Sequence, residues 1–232
     1  MTQRSILAGA NPTVVIKAGA NITVKGVDGD LVIAESESRW GLKVEKHSEA
    51  EFARARAAIG ETVLFDLRFK KLGGQDNPED VVEVQIGGSG EVRVPFASRL
   101  KVYAGKNIDM QGIRGQVDAY SGFKMRLKDI SLLGNASAGG TMDLDCESML
   151  GENVEFKSGS DLRFYIHDLT NAHIRVKDLG GYWEGKIGSG KKSVYLKCGG
   201  DVTLVTDQNV EPMPPNYILG RIEKPPALSE MP

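Results

Sequence analysis

The 232-residue chain carries 29 Lys and Arg against 31 Asp and Glu, a net charge of −2 with a pI near 6.0, so no global positive field argues for nucleic acid or an anionic membrane. A hydrophobic share of 41% is enough for a core, and 28 glycines with 6% aromatic residues suit a turn-rich β protein. No apolar run approaches the ~18 residues of a membrane helix or the roughly 7–15 of a signal peptide, and two cysteines make no disulfide framework, which predicts a cytoplasmic chain in a reducing compartment.

Residues 13–46 read as β-hairpin material. Val14-Val15-Ile16, Ile22-Thr23-Val24 and Leu31-Val32-Ile33 are β-branched runs, and Asp28-Gly29 between two of them is a hairpin signal. Ser48 and Glu51 form a capping box for a helix over 49–59, with Phe52, Ala55 and Ile59 on one face and Gly60 as its stop. Strands are expected again at Val63–Phe69, Val82–Ile86 and Val92–Val94, with a polar loop over Gly73–Asp80.

From residue 100 to 206 the chain repeats itself. Two columns of apolar-x-apolar pairs descend through it. The first reads Leu100/Val102, Val117/Ala119, Ala136/Ala138, Val154/Phe156, Ile174/Val176 and Val194/Leu196. The second reads Ile108/Met110, Met125/Leu127, Met142/Leu144, Leu162/Phe164, a degenerate Tyr182, and Val202/Leu204. First-column steps are 17, 19, 18, 20 and 20 residues, a period that marks a solenoid of strands. Gly139-Gly140, Gly159, Gly180-Gly181 and Gly199-Gly200 punctuate its corners, where positive φ would explain them. The expected fold is therefore mainly β: a right-handed parallel β-solenoid of about six coils, roughly 29 Å tall at ~4.8 Å per coil. Residues 1–99 form a β-rich N-terminal segment that caps the first coil, because open strand edges need cover. Residues 207–232, holding six of the nine prolines, form a tail or strap.

The Gly-punctuated dyads, the β-rich N-terminal segment and the closing Lys197-Cys198-Gly199-Gly200-Asp201-Val202-Thr203-Leu204 resemble the bacterial "putative adhesin" β-solenoid family. That resemblance implies a β-solenoid without an assigned activity. The bactofilins, cytoskeletal β-solenoids that polymerise end to end, are the neighbouring resemblance.

Several motifs invite chemistry. Gly185-Lys-Ile-Gly-Ser-Gly-Lys191 spells a phosphate loop, but Lys192 replaces the Ser/Thr that would hold magnesium, and a strand follows where a helix is required. Lys157, Lys177 and Lys197 recur 20 residues apart at the same outward position, with Arg175 alongside, as a positive ladder able to attract a polyanion. Asp129, Asp168 and Asp178 read as turn residues, and Asp143 and Asp145 as outward strand residues. His47, His167 and His173 are scattered, Cys146 and Cys198 have inward parity, and Trp183 is expected to face solvent; no metal site or cofactor is implied. The function these features support is a non-enzymatic structural or protein-interaction β-solenoid, partnered by another protein or by itself. The alternative is a glycan- or polyanion-binding solenoid, conceivably a polysaccharide-active enzyme, using Lys157, Arg175, Lys177 and Lys197.

Overall fold

Alternating β-branched and polar residues dictate extended chain, and every regular element among the described residues is a strand. The computed structural model describes residues 1–38, 41–48, 81–149, 152–178, 181–206, 208–213 and 221–223. The helix expected over 49–59, the strand over 63–69 and the loop over 73–80 lie outside these residues.

The first strands are β1 (Thr2–Leu7), β2 (Thr13–Ala18), β3 (Ile22–Val27), β4 (Leu31–Ser36) and β5 (Leu42–His47). Next come β6 (Val81–Ile86), β7 (Gly90–Pro95), β8 (Arg99–Ala104), β9 (Ile108–Ser121), β10 (Met125–Ala138) and β11 (Met142–Met149). Then follow β12 (Asn153–Ser158), β13 (Leu162–Asp168), β14 (Ala172–Asp178), β15 (Gly181–Lys186), β16 (Lys192–Cys198) and β17 (Val202–Val205). The short β18 (Glu211–Met213) and β19 (Arg221–Glu223) bring the tail into the sheet.

These strands pair into two ladders. The first runs β5, β6, β2, β8, the C-terminal halves of β9 and β10, then β12, β16, β14, β15 and β18. The second runs β1, β4, β7, β3, the N-terminal halves of β9 and β10, then β11, β13, β17 and β19. Interior pairings are parallel; β5 on β6, β15 on β14, β18 on β15, β4 on β7 and β1 on β4 are antiparallel. β9 and β10 cross from the second ladder to the first, so both ladders belong to one hydrogen-bonded sheet.

The inward residues of the two ladders make one core. Val14, Ile16, Leu100, Val102, Val117, Ala119, Val154, Phe156, Val194 and Leu196 come from the first; Ile108, Met110, Met125, Leu127, Leu144 and Phe164 meet them from the second, and all are buried. Cys146 and Cys198 are free, buried thiols on different ladders, which raises both pKa values through desolvation. No helix among the described residues is long and apolar enough to cross a membrane.

Four expectations change. The hairpin over 13–46 does not form: β2 and β3 belong to different ladders, and β7 lies between β3 and β4. Gly29 still turns the chain with φ 124, but the partner that β3 takes is a parallel strand from further along. Tyr182 is not a second-column residue, because β15 folds back antiparallel on β14 and Gly181 opposes Asp178 in that hairpin. The Ala136/Ala138 pair is displaced by two: Ala136 opposes Ala119 and Phe156, while Ala138 opposes Ser121 and Ser158.

The fourth change concerns the corner glycines. Each first-ladder strand that passes to the second ladder does so through a three-residue corner, such as 105–107 or 159–161, and its first residue is glycine. None of these first glycines has positive φ. Glycine is required there because the rungs touch: a Cβ on Gly122 would lie 2.1 Å from the Gly105 carbonyl oxygen, and one on Gly159 would lie 2.0 Å from that of Gly139. Close backbone approach, rather than turn conformation, selects the residue.

Candidate ligand-binding face

Outward residues alternate with the core residues along each strand, and the parallel register aligns them across strands. On the first ladder this produces one straight row. Lys17 opposes Tyr103, Tyr103 opposes Tyr120, Tyr120 opposes Ser137, and Ser137 opposes Lys157. Lys157 opposes Lys197, Lys197 opposes Lys177, and Lys177 opposes Tyr182. Seven steps of ~4.8 Å make the row about 34 Å long.

The lysine ladder expected from the 20-residue spacing is therefore present in register, but its order is Lys157, Lys197, Lys177. β16 inserts between β12 and β14, so the last of the three strands in sequence is the middle one in space. All three lysines are exposed. Lys157 pairs with Glu155 at 2.7 Å, whereas Lys177 and Lys197 have no carboxylate partner among the described residues.

Arg175 lies one row inward and is anchored. Its Nη2 donates to Ser193 Oγ at 2.7 Å, and the guanidinium lies 5.8 Å from the centre of the Tyr195 ring. Across β14 and β15, His173 Nε2 is 3.3 Å from Glu184 Oε2, and Tyr182 donates its hydroxyl to the same carboxylate. Those contacts, the Tyr182 bond foremost, hold the Glu184 carboxyl below the usual range. His167 instead pairs with Asp145 at 3.6 Å, so the two histidines serve different carboxylates. Among the described residues no three His, Cys, Asp or Glu side chains gather as metal ligands.

Tyr103 and Tyr120 form the feature that sequence reasoning missed. Their rings stack with centroids 5.0 Å apart and planes 10° from parallel. Together with Lys17, Ala104, Gly105, Gly122 and Ser137 they line an open depression of about 520 Å³. Its floor is low because small residues and glycines form the adjacent corner. Burial raises both phenol pKa values, Tyr120 to about 12, with the Asp118 carboxylate adding to the effect, so both remain neutral donors. Asp118 itself is buried beside Lys101 in the neighbouring row, and its Oδ1 accepts the Asn135 N–H at 2.8 Å. Desolvation raises its pKa, opposed by that hydrogen bond and by Lys101. A signal for the tyrosines did exist: Tyr103 and Tyr120 each stand two residues before a corner glycine, the position that Lys17, Lys157 and Lys197 hold in their own strands.

The second ladder has a different outward character. Asp109 opposes Arg126, Arg126 opposes Asp143, and Asp143 opposes Arg163, so charges alternate and cancel. The lysine stretch of the first ladder has no such compensation along its own row.

The remaining candidates are structural. Asp168 Oδ1 accepts the Thr170 N–H at 2.9 Å, and Asp129, with φ 54, sits where the register shifts between Leu127 and Ile130. Asp161 Oδ1 accepts the Asp201 N–H at 3.1 Å across neighbouring corners. The Gly185–Lys191 stretch joins strand β15 to strand β16, and Asn171 Oδ1 holds the turn by accepting the Ser189 N–H at 3.0 Å and its hydroxyl at 2.9 Å. The turn leads into strand β16, where a phosphate loop opens a helix, and no helix N-terminus faces it among the described residues, so the phosphate-loop spelling lacks phosphate-loop geometry.

The chain matches no family model and none of the curated proteins. A solved structure described as a "putative cell adhesion protein" from Clostridium sporogenes ATCC 15579 is similar over 96% of this chain and 99% of that one. The TM-score is 0.39 and the sequence identity 8%, a likeness too slight to carry an argument.

Proposed function

We propose that the chain is a non-enzymatic interaction module built as a parallel β-solenoid, with a protein partner held on its flat outer faces. The observation that carries this reading is the register. Outward side chains of successive strands fall into straight rows on a backbone bonded from both sides, which gives a rigid, preorganised surface at small entropic cost. The parallel ladders and uniform three-residue corners support the solenoid description. Three of the four ladder ends close on an antiparallel strand, β5, β1 and β18, with β19 parallel at the fourth, which favours binding through the faces over end-to-end growth, since an antiparallel strand does not present the repeating parallel edge.

Light scattering across a concentration series of the full chain is expected to give a constant mass of 25.1 kDa. Mass that grows with concentration would contradict face binding and make the chain a self-assembling scaffold. Release of reducing ends from an acidic polysaccharide, abolished by one aspartate substitution in a folded chain, would overturn the non-enzymatic reading.

A second reading has its own observation. Lys157, Lys197 and Lys177 form an in-register positive stretch with Arg175 beside it, which favours a polyanion as the occupant of the first ladder.

A further inference from the structure

We infer that the depression beside Tyr103 and Tyr120, together with the lysines that continue its row, binds a linear, hydroxyl-rich anionic polysaccharide lying across the strands. The inference rests on the polyanion reading above and deepens it by naming the ligand class.

Three features converge. The first is the slot at Ser137. Tyr120 and Lys157 stand two strand spacings apart, ~9.6 Å, with only the small Ser137 between them. One face of Tyr120 is taken by Tyr103, and the slot lies on its other side, where a sugar ring can stack. The second is charge. Lys197 and Lys177, exposed and adjacent, continue the row beyond Lys157 and lack carboxylate partners among the described residues. Like charges at this spacing repel, and an anion relieves that repulsion.

The third feature sets the polymer class. The row beside the lysines carries Glu155, Tyr195, Arg175 and Glu184 in register. The Glu155 and Glu184 carboxylates beside Arg175 offer oxygens that accept hydrogen bonds from ligand hydroxyls. A uronic-acid polymer and a DNA strand both bear one negative charge per unit and both can stack on Tyr120, but the uronic-acid polymer also brings free hydroxyls on every sugar to this acceptor row, which the sugars within a DNA strand lack.

The test uses the full chain and polygalacturonate as the probe, by calorimetry at low and high salt, with neutral dextran and single-stranded DNA as comparators. Expected is binding to polygalacturonate that weakens as salt rises, with little for dextran and less for DNA. Tyr120→Ala is expected to weaken it about tenfold, the upper end of what one aromatic contact supplies, and the double variant Lys177→Glu/Lys197→Glu by at least as much, since it turns two attractive charges into repulsive ones. Because Tyr120 is half-buried, Ser137→Tyr provides a second route: it fills the slot, and it should block binding in a chain whose melting curve is unchanged. Polygalacturonate binding that is lost in the lysine variant but untouched by Tyr120→Ala and Ser137→Tyr would overturn the aromatic slot and leave the polyanion reading standing. Tighter binding of DNA would overturn the polysaccharide assignment. Binding of neither polymer would overturn the polyanion reading as well, while the protein-partner reading would remain open to its own test.

Discussion

Replacing Phe156 with alanine is expected to lower the unfolding free energy by about 3–5 kcal/mol, a large part of the stability of a domain this size. Phe156 is fully buried at the centre of the stack, and its ring lies 4.8 Å from that of Phe164 on the facing ladder. Its register neighbours are Ala136 and Leu196, so a truncated side chain leaves a void between a small residue and a backbone held by pairing on both sides. Close-packed strands cannot collapse into such a void without breaking ladder hydrogen bonds. Urea unfolding measures the effect, and Phe123→Ala serves as the comparison, since Phe123 is 64% exposed on a corner. A loss at Phe156 no larger than at Phe123 would place the core elsewhere.

Gly122→Ala is expected to cost on the order of 3 kcal/mol or more, although it adds one methyl group at an exposed corner. The new Cβ would stand 2.1 Å from the Gly105 carbonyl oxygen and 3.0 Å from its carbon, both backbone atoms that cannot rotate away. Relief requires parting two rungs, and the Gly122 N–H to Ala104 carbonyl bond at 2.9 Å and the Phe123 N–H to Lys106 carbonyl bond at 2.8 Å hold them together. Gly88→Ala, at the second position of another corner, meets nothing within 4 Å and is expected to change stability by less than about 0.5 kcal/mol. Equal melting temperatures for the two variants would contradict the contact argument.

Much of the fold was legible because each strand carries its own instruction. The pairs Leu100/Val102, Val154/Phe156 and Val194/Leu196 point inward as their alternation predicts, and Lys157, Lys177 and Lys197 point outward beside them. The strand order was harder to read. Strands with the same apolar pair and the same corner are interchangeable neighbours, and nothing in the side chains of β12 says whether β14 or β16 lies beside it. The connections decide: after Lys177 the chain lacks the small residue and glycine that begin a corner, and it folds back as the β14–β15 hairpin. The same ambiguity hid β2 and β3. Ala18-Gly19-Ala20-Asn21-Ile22-Thr23-Val24 has the pattern of Ala104-Gly105-Lys106-Asn107-Ile108-Asp109-Met110, yet two short β-branched runs also spell a hairpin. The pairing of β2 with β8 and of β3 with β9 resolves it. For the candidate site, a charge period exposed the lysines, whereas Tyr103 and Tyr120 share their place before a corner glycine but recur only once, so that their stacking shows through the register alone.

The strand order on the first ladder creates the row on which the binding face depends, and disulfide trapping measures it directly. In a Cys198→Ala background, Lys157→Cys/Lys197→Cys places the two thiols on adjacent parallel strands, at a Cα separation of ~4.8 Å that a disulfide spans. Lys157→Cys/Lys177→Cys places them two strands apart, at ~9.6 Å, beyond the reach of a disulfide. Rapid oxidation of the 157/197 pair with none for the 157/177 pair is the predicted result. The reverse would mean that the strands stack in chain order, and it would contradict the row of Lys157, Lys197 and Lys177 described above.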